Sequence, residues 1–171
     1  MTTNTPQRAA STDIHHGYRL TKVKRMDSRN GIGFSGTLTL NGVPVASVNQ
    51  EGCGGQSLVH FLDGRGSAPE RAFEDAATAI FGAEAFEPTE SLLWRLETAA
   101  QISRARTGAF VFGQAEVDRF WDEDAPNSGS YRRVSGLKKA DTTEYLRLRF
   151  ADRQPFIWST DAATFVALTE A

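Results

Sequence analysis

Cys53, His60 and Asp63 are the residues of this chain whose types could together do covalent chemistry. A thiol becomes a nucleophile when a base or a converging set of backbone N–H groups stabilises its thiolate. His60 follows Cys53 by seven positions and Asp63 follows by three more, a spacing that would suit a compact thiol triad. A strand between them would instead carry the imidazole away from the thiol. The same spacing then describes a small semi-buried cysteine and a histidine packed on a sheet face. Cys53 lies within Gly52-Cys53-Gly54-Gly55. Successive glycines reach left-handed geometry and let N–H groups converge on an anion, so Gly52, Gly54 and Gly55 are a candidate phosphate or carboxylate nest. The run reads equally well as a sharp reversal in which no Cβ fits. It lacks the Lys-Ser/Thr of a P-loop and the spacing of a dinucleotide fingerprint, so no cofactor is expected.

Charge offers a second kind of site. Arg19, Lys22, Lys24, Arg25 and Arg29 crowd the first strand and turn, and Arg132, Arg133, Lys138, Lys139, Arg147, Arg149 and Arg153 crowd the last third. Tyr18, Tyr131 and Tyr145 are interleaved with them. Strands that point Arg, Lys and Tyr outward can hold phosphates and stack bases, which makes Lys22, Lys24, Arg147 and Arg149 candidate nucleic-acid contacts. Outward charge also keeps sheet faces soluble and edges unpaired. Glu116, Asp118, Asp122, Glu123 and Asp124 form an acidic cluster whose spacing does not match a calcium loop. It reads as a solvated helix end, or as a mimic of phosphate charge. His15 and His16 read as two solvated histidines, and no metal site is expected.

These side chains need elements to position them. Tyr18 to Arg25 reads as a strand with a basic face. Asn30-Gly31 and Asn41-Gly42 are two hairpin turns, and Ile32, Phe34, Leu38 and Leu40 alternate between them. Val43 to Asn49 completes an antiparallel meander, with a free edge near Pro44. A fourth strand is expected over 57–62. Ser67-Ala-Pro-Glu70 is a capping box that opens a helix carrying Phe73, Ala76, Ala77, Ile80 and Phe81, with Gly82 as its stop. A second helix starts near Thr89, carries Leu92, Leu93, Leu96, Ala99, Ala100 and Ser103, and ends by Gly108. Beyond it, 109–112 reads as a short strand and 114–121 as a short helix. Strands are expected over 131–134, 144–150 and 155–159, followed by a short helix over 161–168. The fold class is therefore α+β, with an N-terminal antiparallel meander, two central helices and C-terminal strands expected to join the same sheet. Residues 1–17 read as a flexible arm and 18–171 as one domain.

Composition narrows the function classes. A net charge of −2 over 171 residues carries no global signature of a nucleic-acid coat or a polybasic membrane binder, so any such role must be local. One cysteine excludes an intrachain disulfide and a cysteine-based zinc site. The polar N-terminus and the lack of a long apolar run point to a cytoplasmic protein with no membrane partner.

The stretch Ser28-Arg29-Asn30-Gly31, Phe34, Leu38, Asn41-Gly42, Val45, Val48 and Glu51-Gly52-Cys53-Gly54-Gly55 resembles a class of small uncharacterised proteins of actinobacteria and their phages. The resemblance implies a phage or prophage context and carries no catalytic residue. The leading expectation is a non-enzymatic accessory protein that binds a macromolecule, foremost a host or phage protein. One alternative is a nucleic-acid-binding protein using its basic strands. The other is a small-anion binder or thiol enzyme at Gly52–Gly55.

Overall fold

The structure, a computed structural model, describes residues 13–29, 31–122, 124 and 128–168. Strands β1 (Tyr18–Ser28), β2 (Gly31–Leu40), β3 (Val43–Gln50) and β4 (Leu58–Phe61) lie side by side in chain order and are antiparallel throughout. Asn41 and Gly42, with φ of 50° and 83°, link Leu40 to its partner Val43. Two positive φ angles in succession make the tight turn whose twist matches that of the strands. The other hairpin sets Ser28 opposite Gly31, with Asn30 outside the described residues. Alternation aims Phe34, Leu38, Ala46 and Val48 at one face, while Ile32 is exposed. β1 carries a bulge between Thr21 and Lys24, where Lys22 has φ of 52°. The extra residue shifts the phase of the strand, so Tyr18, Leu20 and Val23 all point inward.

Two helices cover that face. In α1 (Ala68–Phe81) the Ser67 hydroxyl caps the Glu70 N–H, and the helix buries Phe73, Ala76 and Ala77. Its partner α2 (Pro88–Arg104) buries Leu92, Leu93 and Leu96 in this first core. Each of these leucines contributes about 2–3 kcal/mol by leaving water. One turn further on, Ala99 and Ile102 of the same helix enter a second core. That core draws on β5 (Ala109–Phe112), α3 (Gln114–Trp121), β7 (Pro155–Ser159) and β8 (Thr164–Ala167), and the same half also holds β6 (Arg132–Arg133) and α4 (Lys139–Phe150). A 3-10 turn, Ala151–Arg153, joins α4 to β7.

Three expectations fail in this half, each for a physical reason. The C-terminal strands do not join the first sheet. They make a separate antiparallel sheet of order β6-β5-β7-β8, because alternation marks a strand without naming its neighbour. Residues 144–150 lie within helix α4 and not in a strand. Leu146 and Phe150 share a face in an alternating pattern, but being four apart they also share a helix face, and Thr142 and Leu146 form the buried helical stripe. Leu148, which the alternating pattern turns inward, is 77% exposed. Helix is further favoured by Asp141 in the first turn and Arg147 and Arg149 in the last, which complement its dipole. Gly108 accommodates α4 here, since a Cβ on it would stand 2.5 Å from Thr142 Oγ1. Finally, 161–168 holds strand β8, which sets Phe165 opposite Trp158 with ring centroids 5.2 Å apart.

Candidate binding surfaces

The glycine corner is built from Gln50 outward. The Gln50 side chain is buried at the end of β3, where its Oε1 accepts the Gly52 N–H and its Nε2 donates to the Gly55 carbonyl at 2.6 Å. Ser28 Oγ donates to the Gly52 carbonyl at 2.8 Å, tying the corner to the first hairpin. A Cβ on Gly52, whose φ is +72°, would stand 2.5 Å from Gly33 N and 2.7 Å from Ile32 C. Gly52 is thus a close-packing glycine with its N–H already bonded. Gly54 and Gly55 stand open, with nothing within 4 Å of an added Cβ.

Cys53 is exposed, and its thiol donates to the Glu51 carbonyl at 3.7 Å. His60 pairs with Ser47 in the β3–β4 ladder, two residues further from the corner than Leu58, which faces Asn49. That is roughly 7 Å of strand directed away from the thiol. His60 lines a cleft of about 650 Å³ with Glu70, Glu74 and Glu90, and Cys53 does not line it. No contact joins Cys53, His60 and exposed Asp63 into a triad. Among the described residues, no group of three or more His, Cys, Asp or Glu side chains could hold a metal ion. Glu123 of the acidic cluster lies outside them.

The basic residues fall on two separate elements. Lys22 and Lys24 are exposed on the bulged edge strand β1. Arg147 and Arg149 lie on the last turn of α4 and not on a strand face. The C-terminal group is supported by aromatic rings. Phe112, at the end of β5, has the Arg153 guanidinium 4.0 Å and the Arg132 guanidinium 5.1 Å from its ring centroid. Phe150 stands 5.4 Å from Phe112, and Tyr145 stands 5.9 Å from Phe150. Arg133 lies over Tyr131 at 4.9 Å. Residues 130–153 hold seven cations against three carboxylates, a local excess of four in a chain whose net charge is −2. Arg132 is pinned by Glu116, and this pairing holds the Glu116 carboxyl below its ordinary pKa. The rings of Phe112 and Phe150 are the part of this surface missed by reading the sequence for charge alone. The one local cue was Arg153 placed three residues after Phe150.

A buried ion pair also joins α2 to β1. Glu97 is 1% exposed, accepts from Arg25 Nε at 3.2 Å and from the Gln101 amide, and Arg25 donates to Gln101 Oε1 at 2.9 Å. No helix among the described residues is long and apolar enough to cross a membrane. No family model, curated protein or solved structure matches the chain, so no role is carried over from a relative.

Proposed function

We propose that this chain acts by binding a macromolecule, and that the partner is a nucleic acid held on the basic, aromatic face of the C-terminal half. The supporting observation is the stack of Arg153 and Arg132 on Phe112, extended by Phe150 and Tyr145. A guanidinium lying over a ring loses less rotamer freedom when it binds phosphate, which applies to Arg153, while Arg132 also gives its N–H groups to Glu116. Neighbouring rings offer faces on which bases can stack whatever their identity. Leu148, exposed between Arg147 and Arg149, adds an apolar contact to the same stretch of α4. An accessory role in a phage or prophage setting, suggested by the N-terminal pattern, belongs to the same proposal.

The test is fluorescence anisotropy of the purified chain with labelled single- and double-stranded DNA and RNA, at low and near-physiological salt. Saturable binding that weakens steeply with salt, and that is lost in an Arg147→Glu/Arg149→Glu/Arg153→Glu variant, supports the reading. Absence of binding at low salt overturns it and moves the search to a protein partner.

A further inference from the structure

His15 has lost its water without gaining a partner. Its ring is wholly buried, and neither Nδ1 nor Nε2 finds a hydrogen-bond partner among the described residues. Reading the sequence placed it among solvated residues. The structure instead wedges it edge-on against Trp121 of α3, with ring centroids 5.3 Å apart. It sits in a short turn, 13–17, that ties the two halves of the molecule. Asp13 Oδ1 and Oδ2 accept the N–H groups of His15 and Gly17, each at 3.0 Å, and hold Arg19 of β1 in a two-point ion pair. Arg19 also donates to the Asp161 carbonyl, in the turn between β7 and β8, at 3.0 Å. The turn closes on backbone bonds from Tyr18 N to His15 O and from Asn41 N to Gly17 O, both 2.9 Å.

We propose that the 13–17 turn is an acid-labile clasp across the seam between the two sheets, closed while His15 is neutral and released when it takes up a proton. A buried imidazolium needs acceptors for two N–H groups, and the described residues around the ring supply none. The charges that act on the ring come from every side. Arg19 on β1 and Arg95 on α2 oppose protonation, as does His16 in the turn itself. Among the described residues Asp13 favours it, and α3 meets the ring with the uncharged Trp121. Burial first, and the two arginines next, drive the His15 pKa down from 6.5 to about 3. Asp13 stays ionised across the same interval: burial pushes its pKa upward, but the bonds from Arg19 and the turn's N–H groups outweigh it and bring it below the usual 3.8. A response between pH 6.5 and 4.5 therefore reports His15 and not its ion-paired neighbour.

The test is hydrogen exchange of individual amides in the full chain, followed by NMR from pH 7.5 to 4.5 and corrected for intrinsic exchange rates. Opening constants at Tyr18 and Asn41 should rise about 10-fold per pH unit below 6.5, roughly 100-fold in total, and should stay well above those of central amides such as Leu38 at every pH, as local release rather than global unfolding requires. A His15→Phe variant should remove the pH dependence. Flat protection at Tyr18 and Asn41 in the wild-type chain, or the same rise in the variant, overturns the proposal. Should the variant fail to fold, the His15 ring signal in the wild-type chain decides. Protonation in step with amide opening supports the clasp, and protonation near pH 6.5 with protection intact overturns it.

Discussion

The two sheets are stabilised by different means. In the N-terminal sheet β1, β2 and β3 run 11, 10 and 8 residues, with long ladders and a core of aliphatic side chains around Phe34 and Phe73. Strands of the C-terminal sheet run only two to five residues. Their core is a ring cluster, with Phe120 5.1 Å from Phe165 and 6.2 Å from Trp158, and Trp158 bonded through Nε1 to Ser103 of α2 at 2.9 Å. Short strands form few backbone bonds, so ring burial must supply more of the stability there. Helix α2 feeds both cores, which makes each half depend on the other through one element.

Deleting a ring should expose the difference most. Phe120→Ala should cost about 3–5 kcal/mol in urea unfolding and loosen the C-terminal sheet before the N-terminal one. Amide exchange would read this as early loss of protection at Phe110 and Ile157. Equal loss across both sheets would show that the halves share one cooperative unit.

The contact of α2 with β1 can be probed through its buried carboxylate. Arg25→Ala leaves Glu97 charged in the interior and should destabilise by about 3 kcal/mol. Glu97→Gln leaves Arg25 partly in water and should cost nearer 1 kcal/mol, the loss of a charged hydrogen bond. Similar costs for the two would mean that Glu97 is not paying for its burial.

Stability should also depend on pH through His15. The fold depresses its pKa, so below pH 6.5 the unfolded chain binds more protons than the folded one. His15 thus contributes fully above pH 6.5, and its contribution falls by about 1.4 kcal/mol per unit as pH drops from 6.5 toward 3. Urea midpoints at pH 7.5 and 5 check this, with His15→Phe as the reference.

On the surface, Arg147→Glu/Arg149→Glu should weaken nucleic-acid binding more than 10-fold and flatten its salt dependence, while Lys22→Glu/Lys24→Glu should change it only about 2-fold. The reverse ranking would move the interface to β1. The smallest effect is expected at Glu116→Gln, which frees Arg132 and should tighten binding by about 3-fold.

Much of the N-terminal half was legible because its instructions are local. Asn41-Gly42 takes two positive φ angles wherever it closes a hairpin, and Ser67 caps Glu70 three residues away. The C-terminal half was less so. Tyr145 to Phe150 satisfies both a two-residue and a four-residue period, and the close packing of Thr142 against Gly108 goes with the helix. The glycine corner was legible as a corner, but not Gln50 consuming the Gly52 N–H, because that contact rests on a side chain's orientation.

By itself, then, the sequence determined the meander, both central helices, the α+β class and the concentration of positive charge near the C-terminus. All of these follow from backbone preference, periodicity and composition within a few residues. Tertiary structure alone decided that the strands form two sheets, that Phe112 carries two guanidiniums, that Cys53 and His60 part company, and that His15 is buried. Each of these depends on which distant surfaces meet, and burial against a distant partner leaves no mark on the neighbouring residues.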